Sequence, residues 1–145
     1  MAISIETNKA QLKKLNKEVK EARDRLSNID EPMAKVSIML DRWVQKNFRS
    51  EGGNVGGWKP LKAGGRWVKN QGFDSSAKTL QDTGRLRSSF KPFADKNRAG
   101  IGSALEYSIN HEEGIGVPVR RMLPKAKDVE AQAKKLIEAS LFKDI

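Results

Sequence analysis

The chain contains no cysteine, which excludes a disulfide scaffold, thiolate chemistry and cysteine-ligated zinc. Histidine is almost as scarce: His111 is the only one. Aromatic residues make up 6% of the sequence and apolar residues 37%. This is a modest supply for a core, so part of the chain is expected to lie outside it or to be ordered against a partner. No stretch approaches the roughly 18 consecutive apolar residues of a membrane span. The opening "MAISIETNKAQLKKLNKEVK" also lacks the apolar run of a signal peptide. A soluble, unexported protein without a membrane partner is expected.

Positive charge is abundant. The 145 residues carry a net charge of +10, unevenly placed. Residues 1–50 hold 11 basic and 7 acidic side chains, residues 51–98 hold 10 and 4, and residues 99–145 hold 7 and 7. The excess therefore precedes residue 99 and favours an anionic partner, either nucleic acid or the acidic face of another protein. The length fits one domain, residues 1–145.

Apolar periodicity predicts three principal helices. Leu12, Leu15, Val19, Ala22 and Leu26 form one thin stripe on a helix over about 8–26, with Thr7 or Asn8 as its cap. "SNIDEP" breaks it, with Asp30 as the N-cap of the next helix and Pro32 in its first turn. That second helix, about 31–49, carries Met33, Val36, Leu40, Trp43, Val44 and Phe48 and reads as the main core element. Val129, Ala133, Leu136, Ile137 and Leu141 mark a third helix in a C-terminal region spanning 125–145.

The middle differs. Residues 50–77 hold seven glycines and two tryptophans with no sustained period, and read as a flexible Gly/Trp-rich arm with short ordered pieces at Trp58 and Trp67. Residues 78–124 predict a short helix at about 84–90 and two short antiparallel strands within 90–104, reversing near Asn97 to Gly100. The fold class is α+β: three principal helices, a small antiparallel sheet and a long Gly-rich arm.

Candidate chemistry is sparse. Gly52 and Gly57 have phosphate-loop spacing, but Trp58 and Lys59 stand where Lys and Ser or Thr belong. In "YSINHEEG", residues 107–114, His111 adjoins Glu112 and Glu113. Neighbouring side chains on a helix do not converge on a metal, and no nucleophile or orienting partner accompanies them. A structural histidine, hydrogen-bonded to backbone near a helix end, is expected, with no catalytic residue, metal or cofactor. Trp58, Trp67 and Phe73 interleave with Lys59, Lys62, Arg66 and Lys69. That pattern suits a protein interface, or else stacking on single-stranded nucleic acid. "VPVRRMLP", residues 117–124, is an Arg-bearing segment fixed by Pro118 and Pro124.

Four segments in order, "WKPL" (58–61), "LQDTGRLRSSF" (80–90), "IGSALEYSINHEEG" (101–114) and "VPVRRMLP" (117–124), resemble the phage virion morphogenesis family. Its members are the tail-completion or head–tail joining proteins of contractile-tailed phages and prophages. Trp58, Pro60 and Leu61 fit its first block, and Leu80, Thr83, Gly84, Leu86 and Ser89 its second. Ile101, Gly102, Tyr107, His111 and Gly114 fit the third, and Pro118, Arg120 and Leu123 the last. Ser103, Ser108, Val119, Arg121 and Met122 depart from the commonest choices. The resemblance implies a non-enzymatic structural protein of the virion tail or neck, present in the host cytoplasm during assembly. It implies a homo-oligomeric ring of about six subunits that meets tail-tube and neck or connector proteins and makes at most weak contact with passing DNA. It implies no cofactor and no small-molecule substrate, and it makes His111 part of a strand-to-helix corner with Tyr107 and Gly114. Trp58 and Trp67 are the expected anchors of the arm. The alternative is a basic nucleic-acid-binding protein.

Overall fold

The apolar face of residues 30–49 organises the molecule. A computed structural model describes residues 9–27 and 29–142, and its architecture is α+β. Helix α1 spans Lys9–Ser27 and α2 spans Asp30–Arg49. The proposed caps Thr7 and Asn8 lie outside the described residues. Asp30 is not the N-cap of α2: Ile29 precedes the helix and makes no side-chain cap, and Asp30 and Glu31 occupy its first turn. Carboxylates there face the positive end of the helix dipole, a favourable position.

Helix α2 buries residues toward two apolar clusters among the described residues. Its first half supplies Met33, Val36, Met39 and Leu40, against which Val129, Ala133, Leu136 and Ile137 of α5 (Ala126–Leu141) pack. Its second half supplies Val44 and Phe48, which meet Trp58, Leu86, Phe90 and Met122. The short helix α3 (Arg85–Ser89) leads directly into β3 (Phe90–Ala94), which pairs antiparallel with β4 (Ala99–Ser103) in the register Phe90↔Ser103 to Ala94↔Ala99. The reversal is tighter and earlier than expected. Asp95 N–H donates to Arg98 O at 2.8 Å, and Gly100 already lies within β4.

The glycine-rich region differs most from expectation. Trp58 does not stand on an arm; it is buried against Phe48, ring centroids 5.2 Å apart and edge-on at 84°. Residues 51–58 close on themselves. Trp58 N–H donates to Glu51 O at 2.8 Å, Gly57 N–H donates to Gly52 O at 2.7 Å, and a 3-10 turn spans Gly53–Val55. Gly52 has φ +88°, and a Cβ there would lie 2.4 Å from the Trp58 ring, so only glycine allows the closure. Beyond it, β1 (Arg66–Val68) and β2 (Gly72–Asp74) form a separate antiparallel hairpin with Trp67 and Phe73 paired across it. Among the described residues there are thus two small two-stranded sheets where one was expected.

Candidate interaction site

After β4 the chain turns through Tyr107 into the short helix α4 (Ser108–Glu113), which ends at Gly114 with φ +76°. The N–H groups of Gly114 and Ile115 both donate to Asn110 O, at 2.8 and 2.9 Å. A side chain at Gly114 would meet Val119 Cγ2 at 2.5 Å. This corner reverses the chain so that 117–124 runs back across α4, where Arg120 N–H donates to His111 O at 2.8 Å.

Residues 117–124 contain no helix or strand, yet Met122 and Arg120 are buried. Buried backbone without a ladder needs partners, and side chains from distant segments supply them. Asn47 Nδ2 and Trp58 Nε1 both donate to Arg121 O, at 2.9 and 2.8 Å. Glu112 Oε2 accepts from the N–H groups of Met122 at 2.7 Å and Leu123 at 3.3 Å. Arg120 reaches the other way, donating through Nε to Lys59 O at 2.8 Å and through Nη2 to Pro60 O at 3.3 Å. Asp128 Oδ2 accepts from Arg121 Nη2 at 2.6 Å and from Lys125 N–H at 2.8 Å, tying the segment to the first turn of α5.

Around this junction lies an open cleft of about 340 Å³, lined by Leu61, Arg66, Thr83, Tyr107, His111 and Arg120 among others. Each of the four sequence segments contributes to it. Gly84 and Leu86 also border it, Leu86 being buried beneath, and Thr83 Oγ1 accepts from Arg85 N–H at 3.2 Å. Arg66 bridges to Asp82 at 3.6 Å and donates to Lys78 O at 3.0 Å. The other candidates lie elsewhere. Trp58 is in the core, Gly102 pairs with Lys91 inside the hairpin, and Leu123 packs against the Phe48 cluster. Pro118 is half-buried just before Arg120. Trp67 is 77% exposed on the separate hairpin.

His111 departs from expectation in one respect. Its backbone carbonyl is bonded, but its ring Nδ1 is buried with no hydrogen-bond partner. Tyr107 meets the ring edge-on, centroids 6.5 Å apart. Burial, and after it the charge of Arg120, lower the His111 pKa below its ordinary value of 6.5, so the ring is neutral at neutral pH. Burial lowers the Arg120 pKa as well. Glu112 is occupied with backbone amides, and among the described residues no three His, Asp or Glu side chains gather where they could hold a metal ion. The arrangement fixes chain segments to one another.

Sequence reasoning missed Asn47, Glu112 and Asp128 as the groups that hold residues 117–124. Asn47 had a signal: a polar residue three positions after Val44, on the buried face of α2.

The model of the phage virion morphogenesis family matches residues 10–141. The chain belongs to the phage virion morphogenesis family. No curated protein and no solved structure matches it. Membership gives the chain a part in building the phage particle, in a family whose work is typically structural. The family match encloses every segment that meets at the cleft.

Proposed function

We propose that the chain completes the tail at the head–tail junction, as one subunit of a closed oligomeric ring. The family match over residues 10–141 carries this reading. The geometry supports it in two ways. The polar groups of the junction hold distant segments together, which suits a part that must keep its shape under load. At the same time, large apolar side chains remain outside: Leu12, Leu15, Val19, Trp67 and Val119 are all exposed. Scattered single residues of this kind are ordinary, but a stripe and an exposed aromatic pair on a hairpin suit contact with neighbours. The hairpin carrying Trp67 and Phe73 reaches a tail-tube or neck protein, and the basic excess meets an acidic protein surface and speeds docking.

Particles made with and without the gene test the reading, counted by electron microscopy. Full heads beside complete but unattached tails support it; normally joined particles overturn it. A second reading, direct contact with DNA, draws on the net charge of +10. Binding of non-specific duplex that persists at near-physiological salt would favour it, since purely phosphate-driven contacts weaken steeply as salt rises.

A further inference from the structure

Every side chain of α1 from Lys9 to Asp24 is exposed. Nineteen residues rich in Lys, Arg and Glu do not make a stable helix alone in water; helices of this kind gain most of their stability by docking an apolar face. The face is present. Leu12, Leu15 and Val19 are 44%, 54% and 48% exposed, and with Ala22 they follow alternating steps of three and four. That spacing makes the narrow seam of a helix that packs along one partner groove, not the wide stripe of a core helix.

The same chain carries a groove that none of its described residues fills. Helix α5 packs on α2, yet no residue of α5 is buried. Between the two helices and the start of β4 lies an open, mostly apolar groove of about 640 Å³, lined by Val36, Met39, Leu40, Val129, Ala133 and Ile137. Glu130, Lys134 and Glu138 edge it. A chain's own α1 does not enter this groove. It touches α5 near its own C-terminal end, where Arg25 Nη1 donates to Leu141 O at 3.4 Å, and at 1.5 Å per residue Leu12 lies about 20 Å farther along the helix.

We infer that α1 of one subunit seats its Leu12–Leu15–Val19 stripe in the α2–α5 groove of a second copy of this chain. Charge selects that arrangement over its rival. Helix α1 holds seven basic and three acidic side chains, so pairing two α1 helices sets like charges side by side. Glu130 and Glu138 on the groove edge, the latter paired with Lys134 at 3.9 Å, leave that edge net negative and oppose the excess instead. The contact is heterologous: the surface given differs from the surface received, so repetition closes a ring when the rotation allows it. The inference rests on the ring reading above and supplies its interface.

The absence of native cysteine makes cross-linking unambiguous. Chains bearing Leu15→Cys are mixed with chains bearing Ala133→Cys, in the full-length protein, and oxidised. A mixed Leu15→Cys to Ala133→Cys dimer is expected as the main product, with little cross-linking of either chain alone. Adding Glu130→Lys and Glu138→Lys to the Ala133→Cys chain should reduce that product about tenfold. If Ala133→Cys disturbs folding by circular dichroism, Glu130→Cys at the groove edge takes its place. A dominant Leu15→Cys to Leu15→Cys product overturns the inference in favour of paired α1 helices. A ring seen by native mass spectrometry without the mixed product overturns it and leaves the ring reading standing. A chain that stays monomeric at its highest soluble concentration overturns it too, and the joined-particle count then judges the ring reading separately.

Discussion

Arg121 O accepts two buried donors, Asn47 Nδ2 at 2.9 Å and Trp58 Nε1 at 2.8 Å, so the two should be energetically coupled. Replacing Trp58 by Phe removes one donor and part of the ring but leaves the carbonyl bonded. The cost should be about 1 to 2 kcal/mol, one net hydrogen bond plus lost packing. Asn47→Ala also leaves the carbonyl bonded, through Trp58. It orphans Asn54 N–H, which donates to Asn47 Oδ1 at 3.2 Å, so about 2 to 3 kcal/mol is expected. Only the double variant strips Arg121 O of both donors inside the core. The lone carbonyl then adds a desolvation penalty of about 1 to 2 kcal/mol beyond the sum of the single changes. Urea unfolding of the four proteins measures the cycle. Additivity within about 0.5 kcal/mol would refute the claim that this carbonyl is held by these two donors and no others.

Further outcomes follow from the same geometry. Gly114→Ala forces a side chain into a φ of +76° and against Val119, and thermal unfolding should show a loss of about 1 to 3 kcal/mol. Glu112→Gln replaces a charged acceptor of two backbone amides, for an expected loss of about 1 to 2 kcal/mol in urea. Because His111 has a lowered pKa, the unfolded chain takes up its proton first as pH falls. The stabilising contribution is therefore complete above the unfolded value of about 6.5 and is lost as pH falls from there toward the folded pKa. The drop in urea midpoint between pH 7.5 and 5 should be smaller in His111→Phe than in the parent chain. Trp67→Ala should leave stability within about 0.5 kcal/mol, as for an exposed site, while lowering the fraction of joined particles.

Elements whose apolar pattern repeats are legible in the sequence alone. Met33, Val36, Leu40, Val44 and Phe48 mark α2, and Val129 to Leu141 mark α5, because a helix face writes its period into the sequence. The hairpin at 90–103 is legible from weak alternation and a turn. The hairpin at 66–74 is not, since three-residue strands flanked by glycine are too short to show alternation. Trp58 looks exposed between glycines and Lys59; its burial depends on the positive φ of Gly52 and backbone closure onto Glu51, which no local pattern encodes. The burial of the His111 ring nitrogen without a partner depends on how residues 117–124 cross α4, a tertiary relation that no local pattern encodes. The four segments that meet at the cleft are linked in the sequence only by their family resemblance. Of the groups that hold the junction together, Asn47 is marked by its place on the buried face of α2, whereas Glu112 has no spacing signal that separates it from an ordinary surface carboxylate.

Whether this chain is a structural part of the head–tail junction is tested most directly by cryo-electron microscopy of intact particles, with the chain carrying a small fused tag as a density marker. Tag density is expected in one ring at the head-proximal end of the tail. Density distributed along the tail tube, or particles that join normally and carry no tag, would contradict that placement.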